Sequence, residues 1–337
     1  MQPNADPTMQ DGQAASGLAP LVLGGDVRGR LDALGEQARD YLADSHAANT
    51  RRAYRADWRA YTAWCAAHEL EPLPSAPATL TLYLAAQAGQ LRTSTLGRRL
   101  VAIGQAHRAA GHVPPTEDAG VRAVWRGIRR RQGTAQVGKA AALTADVRAM
   151  VLALPDGTAS AVRDRAMLLL GFAAALRRSE LVALDVVDVQ PTAEGLVLTI
   201  RRSKTDQEGS GEQVGVPHGS SAETCPVRAL LAWLERAGIA EGPIFRSITR
   251  HGAVLPRRLS DRDVARIVKR AVERAGLDPT RYAGHSLRAG LATAAAIAGA
   301  EERDIMRQTR HKSVAVVRRY IRDGSLFRAN AAATVGL

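Results

Sequence analysis

Apolar residues recur at the spacing of an α-helix along the first part of the chain, and no alternating strand pattern appears before residue 190. The clearest stripe occupies positions i, i+4, i+7 and i+11 and consists of Tyr54, Trp58, Tyr61 and Cys65. Similar patterns predict further helices over 28–43, 79–88, 96–107 and 119–131. Residues 28–131 are therefore predicted to form an all-helical bundle.

Two stretches without periodicity interrupt this pattern. Residues 1–27 are rich in Gly, Ala, Pro and Gln, and residues 132–142 are rich in Gly, Ala and Gln. We interpret the first stretch as a flexible tail and the second as an interdomain linker. The remaining residues, 143–337, would then form a second domain, and two domains suit a chain of 337 residues.

The second domain is predicted to be mainly helical with one small antiparallel sheet. A helix begins near Thr144, which we predict to be its N-cap. Apolar and β-branched residues at 196–201 and 214–216 predict a hairpin-like pair of strands. More than one helix is predicted within 161–184. Further helices are predicted over 226–237, 260–275, 287–298, 301–308 and 314–321. The expected fold class is thus mainly α, in two domains.

The charge of the chain favours a polyanionic partner. The net charge is +13 and the isoelectric point is near 10.7, so nucleic acid is the first expectation and an acidic membrane the second. Basic side chains concentrate on two predicted helices of the first domain. We predict that they contact DNA, and a solvated helix face is the alternative interpretation. These residues are Arg51, Arg52, Arg55, Arg59, Arg126, Arg129 and Arg130.

Several classes of protein are excluded. Cys65 and Cys225 are the only two cysteines, which excludes a disulfide scaffold and a four-cysteine zinc site. The longest apolar run, 166–176, is shorter than the ~20 residues of a membrane span, and the first residues do not resemble a signal peptide. The sequence contains no phosphate-binding loop and no zinc-ligand spacing. We therefore expect a reduced, cytoplasmic protein that uses no metal and no cofactor.

A scattered set of polar residues in the second domain could carry chemistry. Two of them lie between predicted helices, one follows a strand, two open a helix, and two lie near the end of the chain. Considered one at a time they have ordinary interpretations, such as a solvated arginine or a half-buried tyrosine. In chain order they are Arg177, Glu180, Lys204, His285, Arg288, His311 and Tyr320.

The order of these residues, with Leu-Arg-x-Ser-Glu-Leu around the first arginine and His-x-x-Arg at 285–288, resembles the tyrosine recombinases, also called phage integrases. The stretch Ala63-Trp64-Cys65 and the segment Tyr320-Ile-Arg resemble the Cre-type branch of that family in particular. The resemblance covers residues 45–337. It implies a SAM-like core-binding domain followed by a catalytic domain of the DNA breaking-rejoining type. One position departs from the family pattern, because Thr309 and Arg310 precede His311 where the family usually shows a small turn ending in Gly.

The resemblance also implies a role for each residue. Tyr320 would attack a DNA phosphate and form a covalent 3′-phosphotyrosyl bond without metal or ATP. Arg177 and Arg288 would clamp the non-bridging oxygens of that phosphate. Lys204 would protonate the leaving 5′-oxygen, because an arginine cannot release a proton at neutral pH. His285 would help to accept the proton of the tyrosine.

Two further residues would support this chemistry. His311 would hydrogen-bond the phosphate. Glu180, one helical turn past Arg177, would hold the site together by hydrogen bonding. Arg177 is chosen over Arg178 because of its spacing to Glu180.

The family resemblance implies a homo-tetramer on double-stranded DNA, at a specific site with inverted repeats, and a nucleoid-associated location. The sequence predicts a helix break at 324–325, followed by a short apolar segment that would dock into the neighbouring protomer. Docking of this segment on its own domain is the alternative. The segment contains Leu326, Phe327, Ala331 and Val335.

Two other functions remain open at this point. One is a type IB topoisomerase, which uses much the same residues and relaxes DNA as a monomer. The other is a catalytically inactive DNA-binding protein. Synapsis of two DNA sites would separate a recombinase from the first, and DNA cleavage would separate it from the second.

Overall fold

The computed structural model describes residues 25–44, 48–135, 138–201 and 211–325. The chain divides into two compact units, Met1–Gln136 and Val137–Leu337. Both units are built mainly from helices, so the predicted fold class is confirmed. No helix within the described ranges is long and apolar enough to cross a membrane.

The first unit forms five α-helices in its described residues, and each matches a helix predicted from the sequence. The fifth begins where it does because the carboxylate of Asp118 accepts a hydrogen bond from the N–H of Val121, at 3.0 Å. The helices are α1 (Gly25–Asp44), α2 (Ala48–Ala67), α3 (Pro77–Gln87), α4 (Thr93–Ala109) and α5 (Ala119–Gln132).

The core of the first unit is built on the aromatic stripe of α2. Trp58, Tyr61 and Cys65 are all buried. The ring of Tyr61 meets the ring of Tyr83 on α3 edge-on, with 4.9 Å between the ring centroids. Ile103 of α4 is buried in the same cluster. The predicted stripe therefore faces the interior, and this burial provides most of the free energy that holds the short helices together.

A buried histidine fastens α4 to the loop before α3. His107 Nε2 accepts a hydrogen bond from the N–H of Ser75 at 2.9 Å, and its Nδ1–H donates to the carbonyl of Ile103 at 2.8 Å. Burial lowers the pKa of His107, so the ring is neutral. This histidine is therefore a structural residue of the first unit.

The arginines predicted to contact DNA lie on α2 and α5. Six of the seven are exposed, and Arg51 is half-buried. On α2 they lie on the face opposite to the buried stripe, as the sequence spacing requires. Their contact with DNA stays a prediction. The exposed members are Arg52, Arg55, Arg59, Arg126, Arg129 and Arg130.

The second unit is mainly helical with two small antiparallel sheets. Its helices are α6 (Thr144–Leu152), α7 (Ala159–Ala173), α8 (Arg178–Ala183), α9 (Pro226–Arg236), α10 (Asp261–Arg274), α11 (Ser286–Ala298), α12 (Glu302–Thr309) and α13 (Val314–Ser325). Its strands are β1 (Val189–Pro191), β2 (Gly195–Ile200), β3 (Glu212–Pro217), β4 (Arg246–Ile248) and β5 (Val254–Arg258).

The predicted pair of strands corresponds to β2 and β3 of the larger sheet, in which β2 lies between β1 and β3. Leu196 pairs with Val216 and Leu198 pairs with Val214, and all four side chains are buried. These residues alternate with less buried ones, which fixes the register of the strands because a shift of one residue would expose the apolar set. The sheet therefore forms one side of the hydrophobic core of the second unit.

The structure differs from the sequence prediction at three points. The sequence gives no signal for the two-stranded sheet of β4 and β5, whose strands are only three and five residues long. Thr144 is not the N-cap of α6 but its first helical residue. The cap position is Leu143, whose N–H donates to the carboxylate of Asp146 at 2.9 Å. The helix break expected at 324–325 is also wrong, because α13 continues to Ser325. The apolar segment 326–337 lies outside the described residues.

Residues 138–142, which the sequence places in the linker, are fixed to the second unit. The N–H of Ala140 donates to the carbonyl of Arg281 at 2.7 Å, and the N–H of Ala142 donates to the carbonyl of Ser286 at 2.9 Å. The segment passes so close to α11 that a Cβ on Gly290 would lie 1.8 Å from the carbonyl oxygen of Ala142. Only glycine fits at this position of α11.

Candidate active site

Five of the predicted site residues lie around the N-terminus of α11. Some of them lie just outside the ends of helices, and the others lie within helices. Arg177 directly precedes α8, and His285 directly precedes α11. Arg288 lies in the first turn of α11, His311 lies two residues after the end of α12, and Tyr320 is on α13. The packing of α11 against α7, α12 and α13 brings these positions together.

The hydroxyl of Tyr320 is held next to a histidine. Its Oη lies 3.2 Å from Nε2 of His285, which is within hydrogen-bond distance. The ring of Tyr320 is half-buried and packs beside the ring of His311, with 5.8 Å between the ring centroids. By contrast, Tyr282 is buried and its hydroxyl donates to the carboxylate of Asp146 at 3.3 Å. Tyr320 is thus the tyrosine whose hydroxyl faces the cluster.

Arg177 is held in place by Glu180. Its Nη1 lies 2.5 Å from one carboxylate oxygen of Glu180, and its backbone N–H donates to the other oxygen at 2.9 Å. The neighbouring Arg178 takes another direction, since its stem lies against Gly284 and its guanidinium lies 3.9 Å from Asp261. The structure therefore places Arg177 in the cluster and Arg178 outside it.

Arg288 is a buried cation with unused donors. Its side chain is fully buried, and its Nη1 donates to the carbonyl of Ala175 at 2.7 Å. Its Nε and Nη2 have no hydrogen-bond partner in the described part of the chain. Burial and then the charge of Arg177 lower its pKa to about 10, so it remains charged at neutral pH. Two unpaired donors on a buried cation make a site that an anion would fill.

His311 is a neutral ring whose tautomer follows from its neighbours. The hydroxyl of Thr309 donates to the carbonyl of Ile305 at 2.6 Å, so its oxygen must accept the hydrogen bond of 2.7 Å from His311 Nδ1–H. Nε2 of His311 then carries no proton. Burial, followed by the charges of Arg288 and Arg177, lowers the pKa of this imidazole to about 3.

Arg310 belongs to the same cluster, although the sequence alone predicts no role for it. Its guanidinium lies 2.7 Å from Glu180, on the carboxylate that also holds Arg177. Burial alone would raise the pKa of Glu180, but the charges of Arg310 and Arg177 and their hydrogen bonds outweigh burial and hold it below the usual range. The signal in the sequence was an arginine where a turn normally requires glycine.

Lys204 lies outside the described residues, so its role stays a prediction from the sequence. The arginines of α2 and α5 belong to the first unit, whereas the residues of this cluster all belong to the second unit. The cluster joins a tyrosine hydroxyl with an adjacent base and an anion site lined by arginine.

We expect the stability of the protein to fall as the pH falls below about 6.5, partly because of His311. An unfolded histidine titrates near 6.5, whereas the pKa of folded His311 is about 3. Between these values the unfolded chain binds a proton that the folded chain excludes. The contribution of His311 to stability is thus complete above pH 6.5 and is lost as the pH falls. The loss between pH 7 and pH 5 is about 2 kcal/mol.

The free energy of unfolding in urea, measured at pH 7 and pH 5, checks this expectation. His311→Gln should lose about 2 kcal/mol less than the wild type over this interval. Carboxylates with a lowered pKa, such as Glu180, weaken only below about pH 4.3 and do not interfere. The exposed His218→Gln is the matched control. An unchanged pH dependence in His311→Gln would show that folded His311 takes up the proton.

Comparison with known protein families identifies relatives across most of the chain. Residues 142–325 match the model of the phage integrase family. An integrase/recombinase XerD homologue of Selenomonas ruminantium is 43% identical over 298 residues, which cover 88% of this chain and 87% of the homologue. The recombinase Cre of Escherichia phage P1 is 25% identical over 284 residues, covering 79% of this chain and 81% of Cre.

Solved structures share the fold at lower sequence identity. A XerH site-specific recombinase bound to a palindromic difH substrate superposes with a TM-score of 0.57 at 15% identity, over 77% of this chain and 72% of that chain. A lambda integrase dimer bound to a COC′ core site superposes with a TM-score of 0.53 at 18% identity, over 76% of this chain and 66% of that chain.

Proposed function

The chain belongs to the phage integrase family, and we propose that it is a site-specific DNA recombinase that cleaves and rejoins DNA through a covalent 3′-phosphotyrosyl intermediate. One observation carries this proposal. The hydroxyl of Tyr320 lies 3.2 Å from His285, in a cluster with the buried arginine Arg288, two of whose donors have no partner among the described residues. A nucleophile, a base and an anion site are the parts that transfer of a phosphodiester to a tyrosine needs.

The first step is the attack of Tyr320 on phosphorus. A phenol is a weak nucleophile at neutral pH, because its pKa is near 10. A base that removes its proton during the attack makes the oxygen reactive. His285 Nε2 lies within hydrogen-bond distance of the hydroxyl and can take that proton. The new bond joins Tyr320 Oη to phosphorus, and the bond from phosphorus to the 5′-oxygen of DNA breaks.

The developing negative charge is held by arginine. The non-bridging oxygens of the phosphate gain charge in the transition state, and fixed guanidinium donors in a site closed to water stabilise that charge strongly. Arg288 offers Nε and Nη2 for this purpose. Arg177 is oriented by Glu180 before any substrate arrives, so little reorganisation is needed when the phosphate binds.

His311 contacts the phosphate in a second protonation state. In the unliganded site its Nε2 carries a lone pair and cannot donate to a phosphate oxygen. A bound phosphate brings negative charge that offsets the arginine charges, and this raises the pKa of the ring. His311 then takes up a proton and donates from Nε2 while Thr309 keeps holding Nδ1.

The leaving group also requires a proton. We assign this proton to Lys204, which can release one at neutral pH more readily than an arginine. Because the protein–DNA bond preserves the energy of the phosphodiester, the 5′-hydroxyl of another strand can reverse the step. Strands are therefore exchanged without ATP and without a metal ion.

The proposal includes the assembly on DNA. The exposed arginines of α2 and α5 supply phosphate contacts for the first unit. Four protomers would act on two duplexes, each at a site with inverted repeats, in the cytoplasm. The family relatives named above support recombination rather than relaxation of DNA as the outcome.

A covalent trap tests this function. The DNA that flanks the gene of this protein is first sequenced to locate inverted repeats. The probe is a duplex that carries such repeats, nicked so that cleavage releases a short fragment and cannot reverse. We expect a complex that survives SDS, and its yield should be the same in excess EDTA as in Mg²⁺. A yield lost in EDTA and restored by Mg²⁺ contradicts a metal-free mechanism. Two intact duplexes should give recombined products, whereas a topoisomerase would give none.

A further inference from the structure

Arg310 has an unusual backbone conformation for its residue type. It follows the last residue of α12 with φ 54° and ψ 44°, in the left-handed region. Glycine adopts this conformation freely, whereas the Cβ of any other L-residue is crowded there. Residues of this kind persist when their surroundings hold them, and they concentrate at functional sites. The side chain of Arg310 is therefore the place to look for the compensating interaction.

That side chain is buried, and its three nitrogens each lie near a different protein group. Only 3% of it is exposed. Its Nη2 lies 2.7 Å from Glu180, and its Nη1 donates to the carbonyl of Ala174 at 3.1 Å. Its Nε lies 3.8 Å from the carboxylate of Glu212, at the start of β3, without forming a hydrogen bond. Both terminal nitrogens of Arg310 are thus engaged by protein groups, and its Nε faces the carboxylate of Glu212.

Glu180 is the group that links Arg310 to the reaction. Its carboxylate is shared, with one oxygen on Arg177 and the other on Arg310. With Arg177 as its single arginine partner, this buried carboxylate would cancel the charge of Arg177 and leave the pair with no net charge beside the site where a phosphate must bind. Charges in a buried site interact strongly because water does not screen them.

We propose that Arg310 is a positioning residue of the proposed recombination reaction, which neutralises Glu180 so that Glu180 can orient Arg177 without cancelling its charge. Removal of Arg310 leaves the carboxylate of Glu180 with Arg177 as its one charged partner among the contacts described. Arg177 is then drawn toward Glu180, and the anion site loses positive charge. Arg310 touches no reacting atom, and its effect on the phosphate passes through Glu180.

Three variants test this: Arg310→Gly, Glu180→Gln and the double variant. Arg310→Gly keeps the turn, because glycine adopts the left-handed conformation. We expect it to slow single-turnover formation of the covalent complex about 10- to 100-fold, less than the loss of a donor to the phosphate itself. The affinity for the duplex should not change. The double variant should be no slower than Glu180→Gln, because it has no uncompensated carboxylate. The matched control is Glu69→Gly, an exposed residue with φ 56°.

Specific rates of these variants would overturn the role proposed for Arg310. Arg310→Gly at the wild-type rate, or a double variant as slow as the product of the single effects, shows that Arg310 does not act through Glu180. If Arg310→Gly does not fold, the comparison of Glu180→Gln with the double variant decides, since neither leaves Glu180 charged. Equal rates support the proposal, and a much slower double variant overturns it.

A second readout needs no DNA. Inorganic phosphate should raise the melting temperature of the wild type, because a ligand that binds only the folded state stabilises it. The shift should shrink in Arg310→Gly and return in the double variant. Equal shifts in the wild type and Arg310→Gly overturn the proposal. Phosphate shifts as expected combined with no covalent complex in the wild type would instead leave Arg310 as a positioning residue of an anion site and reject the recombinase function.

Discussion

We expect Tyr320→Phe to abolish the SDS-resistant complex with the nicked duplex and to leave binding to the same duplex nearly unchanged. The ring, which is half-buried and packs beside His311, stays in place in this variant. Only the hydroxyl next to His285 Nε2 is lost. Without that oxygen no bond to phosphorus can form, so the loss is complete rather than partial. Gel electrophoresis in SDS measures the complex, and a mobility shift without SDS measures binding.

Tyr282→Phe is the matched control for this result. Tyr282 is also in the second unit, but it is buried and its hydroxyl donates to Asp146. The substitution removes one hydrogen bond of ordinary strength and should leave the yield of the complex intact. If Tyr282→Phe lost the complex and Tyr320→Phe kept it, the nucleophile would be Tyr282.

We expect Arg288→Lys to reduce the rate of covalent complex formation by about 10²–10³-fold, a loss typical of removing a fixed donor from a site of developing negative charge. The positive charge is kept, so the change isolates the geometry of the guanidinium. Lysine replaces a planar fork with a single ammonium on a flexible stem. It cannot both donate to the carbonyl of Ala175 and present two donors to a phosphate.

Arg178→Lys controls for a general sensitivity to arginine replacement in this region. Its side chain is 42% exposed, and its partner is Asp261 rather than a group of the cluster. The rate should remain close to that of the wild type. An equal loss in both variants would mean that the region responds to arginine content and that Arg288 has no special place in it. Circular dichroism confirms that each variant is folded.

The parts of the fold that the sequence predicts are those decided by local pattern. The apolar stripe of α2 predicts both the helix and its buried face, because apolar residues that recur at the helical period lie on one side of a helix and that side packs into the core. The strands β2 and β3 were visible because β-branched residues alternate there. The pair β4 and β5 is not predicted, since strands of three and five residues hold too few positions to show a period. The residue type of Thr144 predicts a cap, whereas the carboxylate of Asp146 binds the N–H one residue earlier.

The candidate site likewise has residues that the sequence predicts and features that only the structure shows. Its principal residues are identified by their order along the chain, which matches a family, and the structure then shows which of them meet. The role of Arg310 is not visible in the sequence, because it depends on a backbone angle and on Glu180, which is 130 residues away. The protonation state of His311 depends likewise on where the hydroxyl of Thr309 points. Both facts arise from packing between elements that are distant in the chain.

The segment 138–142 is fixed to the backbone on both sides of one residue of the candidate site. Its hydrogen bonds to the carbonyls of Arg281 and Ser286 fall on either side of His285. The chain that arrives from the first unit is therefore tied to the backbone on both flanks of the base that faces Tyr320. These two hydrogen bonds fix the backbone before and after His285, and they thereby help to set the position of its imidazole beside the hydroxyl of Tyr320.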